Sequence, residues 1–320
     1  MNENVLVSIV CITYNHEKYI SKCIDSIISQ QTSFNFELII HDDCSTDETI
    51  NILKQYKNKY PTIISLILEE KNVYSQGINI LDDIVIPQVK GKYIAFCEGD
   101  DYWIDNYKLQ KQIDGLLLNP ECWICAHAVK MVDESDTKVI DKIAPINTNG
   151  IIPIEDVIRG DGGFVGTNSL VIAIDAFKKN YDFRKIYALD YFLQIMGSIH
   201  GGMLYISDEM SAYRLFSNGS WTLNMMQDKD KYIKHFKRKI QALQKVNEET
   251  NYKYNSLIYN KILDSEYNIL CLENKHKEVL KKENIGMLNV ISTKDKVKLF
   301  INILFPWLIK LRDRRRIKHV

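Results

Sequence analysis

The chain has 320 residues, of which 46% are hydrophobic and 26% are charged, the composition of a soluble globular protein with one large domain, or one domain and an appendage. No signal-peptide pattern and no run of roughly 18 apolar residues is visible, which argues against secretion and against a membrane-spanning segment. The net charge is zero, but Met226 onward contains 22 Lys and Arg against 11 Asp and Glu, so an acidic body of net charge −11 precedes a basic part of +11.

The first hundred residues alternate strand and helix patterns, as a parallel sheet with crossover helices requires. β-branched apolar runs predict the strands, and apolar residues at helical spacing predict the helices. The predicted strands are Val5–Thr13, Phe36–Ile40, Ile63–Leu68 and Tyr93–Cys97, and the predicted helices are Glu17–Gln30, Asp47–Lys59 and one within Val73–Val89. The sequence therefore predicts an α/β fold.

After Trp103 the pattern changes. A helix is predicted over Lys108–Leu118, and shorter strands and glycine-containing turns continue to about Trp221, which predicts a mixed-sheet half. From about Lys229 the chain has helical periodicity and is rich in Lys, Asn and Tyr. We therefore expect a domain over residues 1–224, with halves 1–104 and 105–224, and a helical, basic extension over residues 225–320.

The seven cysteines lie scattered through apolar segments, which indicates reduced core residues of a cytosolic protein. Cys122 and Cys125 form a lone CxxC pair. A zinc site would need a second pair of ligands, and a thioredoxin-like site a different context, so we expect both to be structural.

Polar clusters follow three of the predicted strands: Thr13–His16, His41–Asp43 and Glu98–Asp101. Ligands of open α/β sheets bind outside the carboxyl ends of the strands, so the clusters are expected to converge on one crevice. Glu98, Asp100 and Asp101 repel one another unless a cation lies between them, and hard oxygen ligands suit Mg²⁺ or Mn²⁺ carrying phosphate. The alternative is an acidic turn that caps the next helix.

Three sequence blocks, in this order and at this spacing, resemble a bacterial family 2 glycosyltransferase: VSIVCITYNHEKYISKCIDSIISQ, LIIHDDCSTDET and YIAFCEGDDYW. The resemblance covers roughly Val5 to Trp221. It implies an inverting enzyme with the GT-A fold, in which a Rossmann-like nucleotide-binding sheet is joined to a mixed acceptor-side half. Here a helical C-terminal extension would follow that domain.

The resemblance also implies roles for single residues. Thr13, Tyr14 and Asn15 match the loop that lies against the nucleotide, and Asp42 and Asp43 match the carboxylates of which one accepts from uracil. The EGD of Glu98 to Asp100 stands where the family places its DxD motif, with Asp101 following. Asp100 is the first candidate to bind Mn²⁺ or Mg²⁺. Glu98, a glutamate where aspartate is commoner, either binds the metal, reaches the ribose or bridges through water.

An inverting displacement needs a base on the opposite face of the sugar, which takes the proton of the acceptor hydroxyl. The family's base is an Asp at the start of a helix, and Asp190 matches it, with Leu189 in place of the usual Glu. From the residues alone, the favoured interpretation of Asp190 is a carboxylate that stabilises a helix dipole.

The AYRLFSNGSW segment resembles the family's YRxH segment, which closes over the donor diphosphate. Arg214 matches the arginine and could pair with phosphate, or else with an acidic neighbour. Phe216 replaces the usual His.

The tail, residues 297–320, joins an apolar stretch to a cluster of Lys and Arg. The apolar stretch is too short to span a bilayer but suits its interface, and the basic cluster would be attracted to anionic lipid. The alternative is a terminal helix packed on the body. Nucleic-acid binding is disfavoured, because the acidic body would repel phosphate.

The sequence thus predicts a hexosyltransferase-type enzyme that moves a sugar from a UDP-sugar to a glycan or lipid-linked acceptor in bacterial surface polysaccharide synthesis of the capsule or O-antigen type. It would be cytoplasmic, and peripheral on the inner face of the cell membrane if the tail binds lipid. The alternative is a catalytically silent nucleotide-sugar-binding or scaffold protein, which Leu189 and Phe216 keep open. A nucleotidyltransferase or a dinucleotide-dependent dehydrogenase fits less well, because no glycine-rich loop follows the first strand.

Overall fold

The structure is a computed structural model that describes residues 5–215 and 228–305. The chain divides into two compact units, residues 1–224 and residues 225–320. The point of division lies within residues 216–227, outside the described residues. The predicted domain boundary falls in the same segment and stays a prediction.

In its described part, the first unit is built on one sheet of ten strands. The strands are β1 (Val5–Thr13), β2 (Asn35–Asp42), β3 (Ile64–Leu68), β4 (Tyr93–Phe96), β5 (Tyr102–Trp103), β6 (Ile124–Val132), β7 (Val139–Ile143), β8 (Gly150–Ile152), β9 (Val171–Ala173) and β10 (Met203–Arg214). Their order is β3-β2-β1-β4-β9-β6-β10-β5, with β7 paired to β6 and β8 to β10. The first four are mutually parallel and the rest are mixed, which confirms the predicted division into a parallel and a mixed half.

Helices cross between the strands of this unit. They are α1 (Ile20–Ile28), α2 (Thr49–Lys59), α3 (Lys108–Leu118), α4 (Ile154–Gly160), α5 (Ile174–Lys178), α6 (Asp182–Ile186) and α7 (Asp190–Ser198). Strand β1 has its predicted bounds, and so has helix α3.

The core of the first unit forms where α1 packs on β1. Isoleucines of α1 at helical spacing, Ile20, Ile24 and Ile27, are fully buried in one cluster with Ile9 of β1 and Leu38 of β2. Each such side chain contributes roughly 1.5–3 kcal/mol through its removal from water. This packing fixes β1 in the middle of the parallel strands. Its carboxyl end lies on the same side of the sheet as the carboxyl ends of its neighbours.

The segment between Val73 and Val89 differs from its prediction. In place of one helix it contains two 3-10 turns, Tyr74–Gln76 and Ile86–Gln88, on either side of a π-helical turn, Ile80–Val85. Gly77 at φ +82° ends the first turn in the left-handed region, and Pro87 cannot donate a helical hydrogen bond. The sequence pattern was apolar enough for a helix, but these two residues divide it.

The described part of the second unit is helical, with α8 (Lys229–Glu249), α9 (Asn255–Leu272), α10 (Met287–Val290) and α11 (Thr293–Leu304). Its core contains Leu263 and Tyr267 of α9 and Leu299 of α11. Across the ranges 5–215 and 228–305, no helix combines the length and the apolar character that crossing a bilayer demands.

All seven cysteines are free thiols. Burial raises the pKa of Cys122 to about 11 and that of Cys125 to about 12, which makes both thiols unreactive at neutral pH. The structural role of the CxxC pair stays a prediction.

Candidate active site

The three polar clusters meet at one edge of the parallel strands. Strand β1 lies between β2 and β4, with Thr13 paired to Asp42 and Val10 paired to Phe96. The chain leaves β1 for a strand on one side and later returns to its other side, so β1 borders a topological switch point. The convergence predicted from the sequence is therefore present.

The loop after β1 is tied to the loop after β2. Asn15, at φ 56°, donates its backbone N–H to Ser45 Oγ at 2.8 Å, and its Oδ1 accepts from the Thr46 N–H at 2.7 Å. The amide side chain explains why this left-handed position suits Asn. Tyr14, which precedes Asn15, is 39% exposed and faces solvent, whereas Thr13 is buried. These contacts hold the first cluster rigid against the second.

The carboxylates after β2 accept hydrogen bonds from their own surroundings. Asp42 is fully buried and accepts from the Ser45 N–H at 2.8 Å and from Ser45 Oγ at 2.5 Å. Asp43 accepts from the backbone N–H groups of Val73 at 2.7 Å and Tyr74 at 3.2 Å. Burial raises the pKa of Asp43, and these two hydrogen bonds oppose the rise. Each carboxylate oxygen has a further lone pair with which it could accept a hydrogen bond from uracil. The uracil contact of this pair stays a prediction.

The EGD segment after β4 packs directly on the loop after β1. Gly99 donates to the Ile12 carbonyl at 3.0 Å, and a Cβ placed at Gly99 would lie 2.6 Å from Thr13 Oγ1 and 2.8 Å from His16 Nδ1. Both of these buried side-chain atoms lack a hydrogen-bond partner among the described residues. His16 Nε2 lies 4.0 Å from Asp100 Oδ2. Only glycine fits this position.

Asp101 is anchored in the interior. It is 1% exposed, and its two oxygens accept from the Arg214 N–H and from Asn168 Nδ2, each at 2.9 Å. Burial, followed by the charges of Asp100 and Glu98, raises the pKa of Asp101 well above its usual value. These contacts join the EGD segment to β10. Donor contact by Asp101 stays a prediction.

Arg214 is likewise buried, at 4% exposure. Its guanidinium donates to the carbonyl oxygens of Asp100 at 3.0 Å and Glu134 at 2.6 Å, and it lies over the ring of Tyr19 at 4.7 Å. In these contacts the guanidinium binds two backbone carbonyls and an aromatic ring, and not the carboxylate of an acidic neighbour that was the alternative to phosphate. Arg214 fixes the backbone of Asp100, and its pairing with phosphate stays a prediction. Phe216 lies outside the described residues.

Asp190 is the first residue of α7 and is half-buried. Its Oδ2 accepts from Thr167 Oγ1 at 2.5 Å. Burial raises the pKa of Asp190, while the Thr167 hydrogen bond and the charge of Arg184 oppose the rise. Arg184 itself pairs with Asp82 at 2.9 Å and donates to the Leu189 carbonyl at 3.3 Å, which fixes the start of the helix.

The turn Thr167–Ser169 brings Asp190 near the segment after β4 although the two are distant in sequence, because it binds both Asp190 and Asp101. Burial is the largest cause that raises the pKa of Glu98, and the charges of Asp190 and Asp100 follow. Tyr213 lies among the same groups: burial and then the charges of Asp101, Glu98, Asp100 and Asp190 raise its pKa. The carboxylates of the site therefore form a cluster with an excess of negative charge.

This excess fits a divalent cation held jointly by protein and ligand. Among the described residues, no group of three or more His, Cys, Asp or Glu side chains is arranged to hold a metal ion. Mg²⁺ is commonly bound by one or two carboxylates together with substrate phosphates, and the repulsion on Glu98 is what such a cation relieves. Asp100 and Glu98 are the residues that would hold it.

Two site residues were missed from the sequence. Thr167 holds Asp190, and Asn168 holds Asp101, because a 3-10 turn, Thr167–Ser169, places both beside the strand ends. Asn168 also donates to the Ala212 carbonyl at 3.0 Å and accepts from Ser211 Oγ at 2.9 Å. The only signal was the position of this TNS triplet within residues 105–224, the predicted acceptor-side half.

Replacement of Asn168 by alanine is expected to destabilise the first unit. It would leave Asp101 Oδ2 and the Ala212 carbonyl without their partner, and each orphaned buried group costs roughly 1–3 kcal/mol. Urea denaturation would measure the loss. Asn58→Ala, at an exposed position of α2, is the matched control and should stay within about 0.5 kcal/mol of the native chain. Equal stability of the two variants would contradict a structural role for Asn168.

Comparison with known proteins agrees with this geometry. Residues 8–159 match the family model described as glycosyl transferase family 2. An uncharacterised protein of Mycobacterium tuberculosis is 32% identical over 217 residues, which cover 67% of this chain and 60% of that protein. The chain thus spans less than two thirds of that relative's length. The Escherichia coli UDP-Glc:alpha-D-GlcNAc-diphosphoundecaprenol beta-1,3-glucosyltransferase WfaP is 39% identical over 108 residues, 34% of this chain and 40% of that protein.

Solved structures show the same fold. Staphylococcus aureus TarS 1–349 in complex with UDP-GlcNAc superposes with a TM-score of 0.64 over 88% of this chain and 78% of that one, at 17% identity. The mannosyltransferase PcManGT of Pyrobaculum calidifontis, in complex with GDP-Man and Mn²⁺, gives 0.55 over 95% of this chain and 82% of that one, at 11% identity. The predicted GT-A fold is confirmed. With the three sequence blocks and the matching family model, residues 8–159 form a glycosyl transferase family 2 domain.

Proposed function

We propose that the chain is an inverting, metal-dependent glycosyltransferase that moves a sugar from a UDP-sugar to a glycan or lipid-linked acceptor in bacterial surface polysaccharide synthesis. The observation that carries the proposal is that one turn holds both Asp190, through Thr167, and Asp101, through Asn168. Carboxylates suited to a metal–diphosphate group thereby lie in the same site as a carboxylate suited to a base.

UDP is the proposed nucleotide of the donor. Asp42 ends β2 and Asp43 follows it, where the resemblance expects a uracil acceptor, and the exposed ring of Tyr14 is available to the nucleotide. The TarS structures that share the fold hold UDP-GlcNAc or UDP. Which sugar is carried depends on the mixed half of the sheet.

Asp100 and Glu98 would hold Mn²⁺ or Mg²⁺ beside the donor diphosphate. Such an ion, when bound, stabilises the negative charge that develops on the leaving diphosphate. The protein's own contribution is orientation: Arg214 fixes the Asp100 carbonyl, and Asp101 anchors the segment to β10. Thr13 and Gly99 keep the loops after β1 and β4 in contact.

Asp190 is the proposed base. The Thr167 hydroxyl holds one carboxylate oxygen, which leaves the other to take the proton from the acceptor hydroxyl as that oxygen attacks the sugar. The Thr167 hydrogen bond and the charge of Arg184 favour the ionised form that a base needs. Attack from the side opposite the diphosphate inverts the configuration of the sugar carbon.

A glycan or lipid-linked acceptor is supported by what relatives act on. The name of WfaP specifies a diphosphoundecaprenol-linked acceptor, and that of the Staphylococcus aureus TarS, 33% identical over 96 residues, specifies poly(ribitol-phosphate). We propose an equivalent acceptor at a bacterial surface polymer, of the capsule or O-antigen type. A lipid-linked acceptor would place the protein in the cytoplasm at the inner face of the membrane, with residues 297–320 in contact with anionic lipid.

The test of the proposal is donor turnover. The full chain is incubated with Mn²⁺ and a panel of UDP-sugars, with and without undecaprenyl-diphosphate-linked sugars or polyribitol phosphate, and UDP release is followed. Metal-dependent UDP release from one donor, stimulated by acceptor, is expected. A chain that binds UDP tightly but releases none from any pair would instead be a nucleotide-sugar-binding or scaffold protein.

Thr167→Val is expected to reduce transfer by roughly 10- to 100-fold. Valine keeps the shape of threonine but removes the donor to Asp190, and a hydrogen bond to a charged group is worth about 1.5–3 kcal/mol. Initial rates at saturating donor would measure the loss in kcat. Thr167→Ser retains the hydroxyl and should recover most of the rate; a native rate in Thr167→Val together with a loss in Thr167→Ser would show that the methyl packing, and not the hydrogen bond, is what matters.

A further inference from the structure

Helix α11 is apolar on two opposite faces. Its inner face carries Leu299, fully buried in the core of the second unit, and Ile303, which packs against that core. Tyr267 donates to the Asp295 carbonyl at 3.3 Å, and Ser292 caps the helix by accepting from the Asp295 N–H at 3.1 Å. The helix is thus held to its unit by the inner face alone.

The opposite side of α11, with the residue that follows it, forms what we term the outer apolar face. Its members lie at spacings of three and four residues and are between 41% and 67% exposed: Val297, Phe300, Ile301, Leu304 and Phe305. Such spacing aligns the side chains in one stripe along a helix. Single exposed apolar residues are ordinary, but a contiguous stripe of five marks a surface that binds something.

The charges around this stripe indicate which kind of partner binds it. Exposed Lys294 and Lys298 flank it on the helix. From Lys294 to the last residue, the sequence contains nine Lys and Arg and two Asp. Residues 306–320 lie outside the described residues and enter here only through this composition. An apolar stripe bordered by cationic side chains is the pattern of a helix that lies in the interface of an anionic bilayer.

Other occupants fit the same surface less well. The outer apolar face of a second copy would bring the same positive charge against itself, which opposes dimerisation. Nucleic acid would satisfy the basic residues, but its phosphates would leave the five apolar side chains in contact with water. A bilayer satisfies both, because acyl chains take the apolar side chains and anionic headgroups take the Lys and Arg.

We infer that α11 is an interfacial membrane-docking helix, lying parallel to the bilayer with its outer apolar face inserted among the headgroups of anionic lipid. The inference rests on the proposed contact of residues 297–320 with the membrane, but not on sugar transfer. On this inference the second unit, through α11, holds the enzyme at the membrane surface where a lipid-linked acceptor resides.

The experiment is co-sedimentation of the full chain with vesicles of phosphatidylcholine alone or mixed with phosphatidylglycerol, without nucleotide sugar. The native chain is expected to bind the mixed vesicles at least ten-fold more strongly than the neutral ones. Ile301→Asp with Leu304→Asp should reduce that binding at least ten-fold. The matched control introduces the same charges at exposed apolar positions outside the stripe, Tyr259→Asp with Ile285→Asp, and should change it by less than two-fold.

Thermal unfolding verifies that both double variants remain folded. If the outer-face variant unfolds, Ile301→Ser with Leu304→Ser replaces it, with the same ten-fold expectation. Native-chain binding that does not depend on phosphatidylglycerol, or that survives the outer-face substitutions, would overturn the inference. So would a dimer that those substitutions dissociate in the absence of lipid. UDP release is measured without vesicles, so failure of the transferase and failure of membrane docking are observed separately.

Discussion

Replacement of Asp190 by asparagine is expected to lower the rate of sugar transfer by about 10²- to 10⁴-fold, the range that general acid–base catalysis contributes. Asparagine matches aspartate in shape, and its amide oxygen can still accept from Thr167 Oγ1. It cannot take up the proton of the acceptor hydroxyl at neutral pH. The loss should appear in kcat, measured as acceptor-dependent UDP release, while UDP binding measured by calorimetry should be unchanged.

A second aspartate separates catalysis from helix stabilisation. Asp175 lies in the first turn of α5, is exposed, and pairs with Lys178 at 2.9 Å. Asp175→Asn removes the same favourable interaction with a helix N-terminus, worth about 0.3–1 kcal/mol, but leaves the crevice intact. Transfer should therefore be normal in this control. Native turnover in Asp190→Asn would exclude Asp190 as the base and leave it as a dipole-stabilising residue.

The parallel half of the fold was predictable because its signals are local. Strand β1 is a continuous β-branched apolar run, and a strand buried on both faces needs no longer-range information to be recognised. Helix α3 shows an amphipathic period that begins and ends where the structure has it. The Val73–Val89 segment was apolar enough for a helix, but Gly77 and Pro87 divide it into short turns. The sequence pattern alone does not show whether the apolar helical spacing or the two helix-breaking residues determine the structure.

The meeting of the polar clusters at the carboxyl ends of the strands was predictable for a different reason. Parallel strands bring their carboxyl ends to one side, so three polar clusters after β1, β2 and β4 had to meet. What each side chain contacts was not predictable. Asp101 binds interior partners that are 67 and 113 residues away, and the triplet that holds Asp101 and Asp190 shows no periodicity. Such pairings follow from tertiary packing alone.

Gly99→Ala is expected to reduce transfer by about 100-fold or more, although it changes no polar group. The added Cβ would lie 2.6 Å from Thr13 Oγ1 and 2.8 Å from both Thr13 Cβ and His16 Nδ1, closer than real contacts allow. Either the loop after β1 or the EGD segment must move. Overpacking of this kind costs roughly 1–3 kcal/mol of stability, and a displacement of about 1 Å at a reacting centre costs on the order of 10² in rate.

The position of Gly99 determines whether the loss appears in the rate at saturating metal or in the concentration of metal that is required. Gly99 lies between Glu98 and Asp100, so a shift would misplace both proposed metal ligands and raise the Mn²⁺ concentration needed for half-maximal rate. Gly150→Ala is the matched control, because a Cβ at Gly150 meets nothing within 4 Å. It should leave both the rate and the metal requirement unchanged. If Gly99→Ala lowers the melting temperature but has native kinetics and metal affinity, the contact of Gly99 with Thr13 and His16 supports only the fold. A metal requirement raised by Gly99→Ala alone would instead mean that this close approach positions the carboxylates for the cation.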